Sequence, residues 1–301
     1  MATSTAAGRT GFAARDWILV AVVAALWGSS FLLIKVGVHD LAPATVAWLR
    51  LLFGAAALSL VPAARQPLRR RADRGRVALL GVIWMAVPFV LFPLAEQSIS
   101  SALAGMINGA TPLFTAVIAA CWARRLPGRS VTAGLAVGFV GVLAVNLPAA
   151  RGGASVAGIV MVLAAALCYG VAFNLAEPLE TRNGPLPVIF RAMVVALVAE
   201  TPAGIVGFAE STPTVSVMLA MLVLGALCTG AAFVAFTTLV GRVGASRASV
   251  TVYIVPVVAI VLGVTVRGEP IAALSLAGIA LVLLGAYLTG RRSGTSTPES
   301  L

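Results

Sequence analysis

Apolar residues form ten long runs, separated by short segments that contain Pro, Gly, Arg or acidic residues. The runs extend over residues 17–38, 42–62, 77–95, 101–123, 131–147, 157–176, 187–208, 216–240, 246–266 and 271–289. Each run has, or nearly has, the roughly 20 residues with which an α-helix crosses a hydrocarbon layer about 30 Å thick. The pattern predicts an all-α membrane protein with ten transmembrane helices and very short connections.

Composition excludes a water-soluble globule. Of the 301 residues, 60% are hydrophobic and only 10% are charged, and the mean hydropathy is +1.04. Soluble domains carry about a quarter charged residues, because they must display a polar surface to water. The first run follows Arg9 and Arg15, as a signal peptide would, but Lys35 interrupts its far end and nine further runs follow. We therefore predict a retained first helix.

The net charge of +11 has a topological explanation. With the N-terminus in the cytoplasm, sixteen of the 21 Lys and Arg residues fall in cytoplasmic segments, two (Arg151 and Arg267) fall outside, and three lie within runs. Positive residues concentrate on the cytoplasmic side of membrane proteins. The count predicts a multi-pass protein of the cytoplasmic membrane with both termini inside, and it explains the basic balance without a nucleic-acid partner.

The chain also repeats itself. A shift of 144 residues aligns six positions: Gly81 with Gly225, Phe89 with Phe233, Phe92 with Phe236, Pro112 with Pro256, Gly134 with Gly278, and Gly141 with Gly285. Slightly smaller shifts align Trp27-Gly28 with Tyr169-Gly170, Phe31 with Phe173, and Arg50 with Arg191. Each half holds five runs, and five is odd, so the second half must enter the membrane from the opposite side.

This arrangement predicts two inverted five-helix repeats, an architecture that many secondary transporters share. The predicted division is a cytoplasmic N-terminal tail (1–16), a first repeat (17–147), a linker (148–156), a second repeat (157–289) and a cytoplasmic tail (290–301).

Several motifs resemble the EamA family of the drug/metabolite transporter superfamily. They are Leu26-Trp27-Gly28-Ser29-Ser30-Phe31 through Lys35, Pro43 followed by Arg50, Pro112-Leu113-Phe114, Gly244 through Pro256, and Gly268-Glu269-Pro270. The resemblance covers residues 17 to 289 and implies a transporter, often an exporter, of small metabolites, amino acids or drug-like compounds. Proton-coupled exchange is often proposed for the family. One departure is that Arg124-Arg125 stands where the repeat and the family lead us to expect Gly-Glu.

Alternating access requires a polar site near the membrane midplane. Polar and aromatic residues within the runs supply the candidates for substrate binding or gating, which are Trp27, Ser30, Lys35, Arg50, Phe89, Asn108, Tyr169, Asn174, Arg191 and Tyr253. Lys35 extends its ammonium to the headgroups, captures an anionic substrate group or pairs with a nearby carboxylate. For Arg50 and Arg191, a structural or gating role is favoured over the alternative of direct substrate binding. The aromatic rings either line a pocket or only pack.

Glu200 is the predicted proton carrier, with an interfacial residue as the alternative interpretation. Glu96 and Glu177 are ranked below it, as more exposed carboxyl groups at the ends of runs. Pro112 and Pro256 are predicted to break their helices, because proline removes a backbone hydrogen bond.

Other functional classes lack their chemical groups. The runs contain no HExxH, no GxSxG and no paired aspartates, and the chain has no Walker motif. With His39 as the single histidine and three cysteines outside any CxxC pair, we expect no metal site, no cofactor and no enzyme. The predicted function is a secondary transporter whose partners are a small-molecule substrate and the lipid bilayer. A homodimer and a non-transporting accessory or assembly protein stay open.

Overall fold

The computed structural model describes residues 13–124, 129–151, 153–243, 248 and 250–290, and the regular structure in those residues is helical. We number the main helices in chain order: α1 Ala14–Asp40, α2 Pro43–Ser59, α3 Arg71–Glu96, α4 Ser101–Ala123, α5 Arg129–Arg151, α6 Val156–Asn183, α7 Pro185–Ala209, α8 Val215–Val243, α9 Val250–Arg267 and α10 Ala273–Gly290. A one-turn helix, Pro62–Arg65, follows α2. The prediction of an all-helical chain is confirmed. Arg125 and the segment 244–247 lie outside the described residues.

Six of these helices, α1, α3, α4, α6, α7 and α8, are long and apolar enough to cross a membrane by length and composition. The other four contain shorter apolar stretches. Several helices run past the apolar runs, as α6 does in continuing to Asn183. Helical hydrogen bonding continues into polar residues at a helix end, so hydropathy alone places the ends too far inside.

Helices α5 and α10 cross with their backbones in close contact. A Cβ at Gly141 would stand 2.5 Å from the Val282 nitrogen and 2.7 Å from the Gly278 oxygen. A Cβ at Gly285 would stand 2.5 Å from the Gly134 oxygen and from the Gly138 nitrogen. Rising numbers on α5 meet falling numbers on α10, so the two helices are antiparallel. Small residues allow this approach where lipid gives no hydrophobic drive between helices.

The same four glycines are partners in the 144-residue repeat, as Gly134 with Gly278 and Gly141 with Gly285. The contact of Gly134 with Gly285 therefore becomes the contact of Gly278 with Gly141 when the two halves are exchanged. A crossing that maps onto itself in this way lies on the local two-fold axis that relates the halves.

Further contacts between the halves occur as equivalent pairs. Gly28 of α1 packs against Val258 of α9, and its repeat partner, Gly170 of α6, packs against Phe114 of α4. In the same way α2 packs on α8 while α3 packs on α7. Each half therefore covers its apolar faces with helices of the other half, and the core joins both.

Two helices contain π-helical segments at matching positions. The segments are Val82–Ala86 in α3 and Val223–Ala231 in α8, and a shift of 144 places the first within the second. In α8 the Thr229 hydroxyl donates to the Leu224 carbonyl at 2.9 Å and satisfies a loosened backbone group. Such segments often mark functional regions of a helix.

The two prolines expected to break helices differ in outcome. Helix α4 is interrupted at Gly109 and Ala110 and resumes at Thr111, one residue before Pro112. Helix α9 instead runs through Pro256 without interruption. The expectation of a break at Pro256 is therefore corrected: a single lost hydrogen bond is tolerated where neighbouring helices support the backbone, and the Pro256 ring packs against Gly109.

We predict that Gly141→Ala destabilises the fold by about 1–3 kcal/mol, because its methyl group must push apart two backbones. Gly241→Ala is the matched control, since no atom lies within 4 Å of a Cβ at that helical position. The measurement is the free energy of unfolding in mixed micelles titrated with a denaturing detergent. Equal stability of the two variants would contradict the proposed close crossing.

Candidate functional site

Eight aromatic rings from both halves form a continuous group, which we name the aromatic cluster. It extends from Phe31 through Phe92, Tyr169, Phe173, Trp84, Phe233 and Trp27 to Phe236, with neighbouring ring centroids 4.9 to 6.2 Å apart. These rings come from α1 and α3 of the first half and from α6 and α8 of the second half, so they contact one another across the boundary between the halves. The aromatic cluster therefore lies where a movement of one half against the other would change its shape.

The aromatic cluster follows the local two-fold symmetry. Trp27 contacts Phe236 at 4.9 Å, and their repeat partners Tyr169 and Phe92 make the equivalent contact at 5.9 Å. Trp84 breaks the symmetry, because Cys228 occupies the position that the 144-residue shift gives it in the second half. The two repeat-related sides of the aromatic cluster are thus similar except at this position, and such a site can surround an asymmetric organic molecule.

Arg50 is a buried cation next to Phe89, a ring outside the aromatic cluster that packs in the same core as Trp84 and Phe233. Its guanidinium carbon lies 3.8 Å from the centroid of the Phe89 ring, and its Nε donates to the Thr229 hydroxyl at 3.0 Å. The residue is 8% exposed, and no carboxylate pairs with it in the part of the chain that the structure describes. An arginine has five N–H donors, so this one retains donors for an anionic group.

Small polar groups continue the site along α1. The hydroxyls of Ser29 and Ser30 each donate to the Leu26 carbonyl at 3.1 Å. The Ser29 hydroxyl also lies 3.5 Å from the Cys228 sulfur, one residue before the Thr229 that Arg50 contacts. The structure thus brings together five of the predicted site residues, Trp27, Ser30, Arg50, Phe89 and Tyr169.

The two asparagines lie elsewhere, on α4 and on the face of α6 that contacts α4. The Asn108 carbonyl and Oδ1 accept from the Thr111 hydroxyl at 2.8 and 3.3 Å, across the interruption of α4. Asn174 Nδ2 donates to the carbonyls of Thr115 and Gly170 at 3.1 and 2.9 Å. Both partly buried side chains therefore have local partners, through the Asn108 oxygen and the Asn174 nitrogen.

Three further predicted residues also lie apart from Arg50. Arg191 donates to the carbonyls of Ala64 and Arg65, at the far end of α2, so the repeat partner of Arg50 has a different environment. Tyr253 is partly buried on α9 against the larger core cluster. Glu200 is partly exposed on α7, and no ring of the aromatic cluster comes from that helix.

We name the bundle ends by the predicted orientation. The predicted periplasmic end carries the α3–α4 and α9–α10 connections, and the predicted cytoplasmic end carries the α2–α3 and α6–α7 connections. At the periplasmic end, the Lys35 ammonium donates to the carbonyls of Glu96 and Ile99, the latter at 2.8 Å. Lys35 thus satisfies carbonyls that the end of α3 leaves without partners.

Glu269 holds the start of α4 from the other half. Its carboxylate accepts from the Ser101 nitrogen at 3.0 Å, the Ser101 hydroxyl at 2.8 Å and the Ala102 nitrogen at 2.8 Å. A carboxylate at a helix N-terminus satisfies free N–H groups and interacts favourably with the helix dipole. The Gly268-Glu269-Pro270 turn therefore connects the two halves.

Glu96 is wrongly placed by the sequence analysis, which ranked it among exposed carboxyl groups. Its side chain is 0% exposed, because Ala95 and Ile99 beside it pack on Gly158 of α6 while Lys35 covers the carbonyls. Within the described residues, neither of its carboxyl oxygens has a hydrogen-bond partner. No local pattern reveals this burial, since the run simply ends at that point.

Two polar connections join the halves at the predicted cytoplasmic end. Arg242 of α8 pairs with Asp16 of α1 at 2.6 Å. Arg182 of α6 pairs with Asp73 of α3 at 3.2 Å, and Asn183 donates to the same carboxylate at 2.8 Å. Neither aspartate is recognisable from the sequence as a residue that joins the halves, because their partners are more than 100 residues away along the chain.

Comparisons with known proteins agree with this architecture. The model of the EamA-like transporter family matches the chain twice, over residues 15–147 and 156–291. A protein of Streptantibioticus cattleyicolor, named a probable terminal-alkyne amino-acid exporter, is 31% identical over 294 residues, covering 94% of this chain and 97% of its own. A probable amino-acid metabolite efflux pump of Salmonella typhimurium is 27% identical, covering 91% and 94%.

A solved crystal structure shares the fold, with a TM-score of 0.63 at 20% identity, covering 91% of this chain and 96% of its own. The apolar helices, the paired contacts and these relatives together define a multi-pass membrane transporter. The chain belongs to the EamA-like transporter family. This confirms the resemblance found in the sequence, and because the family consists of transporters, it also confirms that the protein is not an enzyme.

We predict that Glu269→Ala destabilises the protein by about 1–3 kcal/mol, because it leaves three donors at the start of α4 without their acceptor. Glu210→Ala is the control, since Glu210 is exposed and no side-chain hydrogen bond is described for it. The measurement is the fraction of each variant that stays monodisperse in detergent as the temperature is raised, and the two unfolding temperatures are compared. A Glu269→Ala protein as stable as the control would show that this connection is not structural.

Proposed function

We propose that the protein is a secondary transporter that exports small amino-acid-type metabolites across the cytoplasmic membrane by alternating access. In this proposal all ten helices cross the membrane as two inverted five-helix repeats, with both termini in the cytoplasm. The observation that carries the proposal is the buried Arg50, which has spare N–H donors beside the aromatic cluster, between the two halves.

The proposed substrate chemistry follows from this environment. A guanidinium with free donors binds a carboxylate in a two-pronged manner, more strongly where water is excluded. The partly exposed rings of Trp27 and Tyr169 and the hydroxyl of Ser30 would contact the rest of the molecule. The names of the two relatives, an amino-acid exporter and an amino-acid metabolite efflux pump, support the same class.

Alternating access would use the connections at the two ends of the bundle in turn. Opening towards the cytoplasm would separate Asp16 from Arg242 and Asp73 from Arg182. Opening towards the periplasm would release Glu269 from the start of α4 and Lys35 from the end of α3. The α5–α10 crossing lies on the two-fold axis, so it would be the natural pivot for both movements.

The remaining predicted residues receive supporting roles in this proposal. Asn108 and Asn174 would hold the interrupted α4 against α6, while Pro112 would keep that interruption deformable. Tyr253 would line the α9 side of the route. The first experiment below distinguishes a transporter from the alternative of an accessory protein that moves no solute. A homodimer stays a prediction.

We predict that proteoliposomes loaded with a mixture of the common amino acids release at least one of them faster than empty vesicles do. Arg50→Gln should slow that release about tenfold or more, because the carboxylate loses its charged partner. Arg267→Gln, at an exposed position at the end of α9 and outside the proposed site, should retain release. The measurement is mass spectrometry of the external medium. Release that is equally fast in wild type and Arg50→Gln would remove Arg50 from the site, and no release of any amino acid would favour the accessory alternative.

Proton coupling, if it drives export, has two candidate carriers. Glu200, chosen from the sequence, is partly exposed, whereas Glu96 is fully buried without a hydrogen-bond partner among the described residues. A buried ionised carboxylate is costly unless it is paired. The Glu96 carboxyl group is therefore either protonated, and so neutral, or ionised and stabilised by the nearby Lys35 ammonium. Glu269 and Arg50 are the other charged residues that act on it. We propose Glu96 as the better-placed carrier.

We predict that Glu96→Gln abolishes accumulation driven by a pH gradient, while solute exchange without a gradient continues, because the amide cannot release a proton. The matched control is Glu200→Gln, which should remain coupled. The measurement is uptake of the amino acid found above, with and without an imposed pH gradient. Loss of coupling in Glu200→Gln alone would return the role to Glu200.

A further inference from the structure

A cavity of about 500 Å³ lies at the predicted cytoplasmic end, between the start of α3 and the first turns of α7. Three arginines line it: Arg71, Arg74 and Arg191. The other lining residues are apolar: Pro67, Leu68, Val77, Ala78, Phe190, Val194 and Val195. None of the ten belongs to the aromatic cluster, so this cavity is separate from the proposed substrate site.

The positive charge of the cavity has no local compensation. No carboxylate is among its lining residues. Asp73, which lies between Arg71 and Arg74 in the chain, is buried and already engaged by Arg182 and Asn183. In the part of the chain that the structure describes, no hydrogen bond or ion pair is found for the Arg71 or Arg74 side chains. Three cations without a counter-charge favour an anionic ligand.

Arg191 is fixed in place at the cavity wall. Its guanidinium donates to the carbonyls of Pro187, Ala64 and Arg65 at 3.1 to 3.4 Å. These contacts join α7 to the segment that follows α2 and orient the cation without neutralising it. Arg71 and Arg74 are exposed by contrast, so they can close on a ligand from the solvent side.

The apolar wall indicates which anion fits. Val194, which lines the cavity, is exposed, and so are Leu79 and Val82, which follow the lining residue Ala78 along α3, as residues that face lipid chains would be. A free phosphate would gain nothing from this surface, whereas the first carbons of an acyl chain would bury apolar area on it. Basic pockets between membrane helices on the cytoplasmic side are suited to anionic lipid headgroups.

We propose that this cavity binds one anionic phospholipid, with its phosphate between Arg71, Arg74 and Arg191 and its acyl chain along Phe190 and Val194. The bound lipid would join the start of α3 to α7, two helices from different halves. The proposal does not depend on what the transporter carries.

The test is native mass spectrometry of the purified protein titrated with phosphatidylglycerol or phosphatidylcholine. We expect one phosphatidylglycerol to bind to the wild type, and phosphatidylcholine to bind much more weakly. The double variant Arg71→Gln/Arg74→Gln should weaken phosphatidylglycerol binding about tenfold or more. The matched control, Arg69→Gln/Arg70→Gln, removes the same charge from the two residues directly before α3, which do not line the cavity, and should bind as the wild type does.

Each other outcome overturns the proposal. Equal weakening in both double variants would mean that only the net charge of the connection attracts lipid. Equal binding of phosphatidylcholine would mean that the arginines do not distinguish an anionic from a zwitterionic headgroup. Glycerol 3-phosphate that competes at the concentration of the lipid itself would assign the cavity to a free phosphate. If the double variant does not stay monodisperse, the single variant Arg74→Gln, at an exposed position, makes the same comparison against Arg70→Gln.

Discussion

The close antiparallel crossing of α5 and α10 is the contact on which the rest of the architecture depends. In lipid, apolar side chains gain little by meeting one another, so helices associate through close packing of small residues and through polar contacts. Gly134, Gly141, Gly278 and Gly285 permit that packing at a place that maps onto itself when the halves are exchanged. The other contacts between the halves then follow as pairs, and the aromatic cluster forms where four of those helices meet.

The two halves have the same arrangement of helices but differ in where their charged residues lie. Arg50 is buried over Phe89, whereas its repeat partner Arg191 binds backbone carbonyls at the predicted cytoplasmic end. Glu269 holds the start of α4, and the first half has arginine at the matching position. A symmetric frame with asymmetric charges suits a protein that must present one site to two compartments, because the two ends of the bundle are then held by different interactions.

Whether a charged residue is buried is the feature that is hardest to predict from the local sequence. Glu96 and Glu200 both follow alanine, one directly after an apolar run and the other within the outer half of one, yet Glu96 is fully buried and Glu200 is partly exposed. The difference arises from α1 and α6, which cover the end of α3, and those neighbours are distant in the chain. Asp16 and Asp73 were missed for the same reason: each is an ordinary acidic residue near a helix start until Arg242 or Arg182 reaches it.

The helical class, the approximate helix positions, the internal repeat and the family could all be predicted from the amino-acid sequence. Hydropathy and repeat spacing are properties of neighbouring residues and of a constant shift, so they can be read without coordinates. Which polar groups meet depends on the packing of helices that are distant in the chain. This packing brings together Trp27, Ser30, Arg50, Phe89 and Tyr169, and it leaves Lys35, Asn108, Asn174 and Arg191 elsewhere. It also kept α9 continuous through Pro256, because the packing of neighbouring helices, rather than local propensity, sets the cost of a lost backbone hydrogen bond.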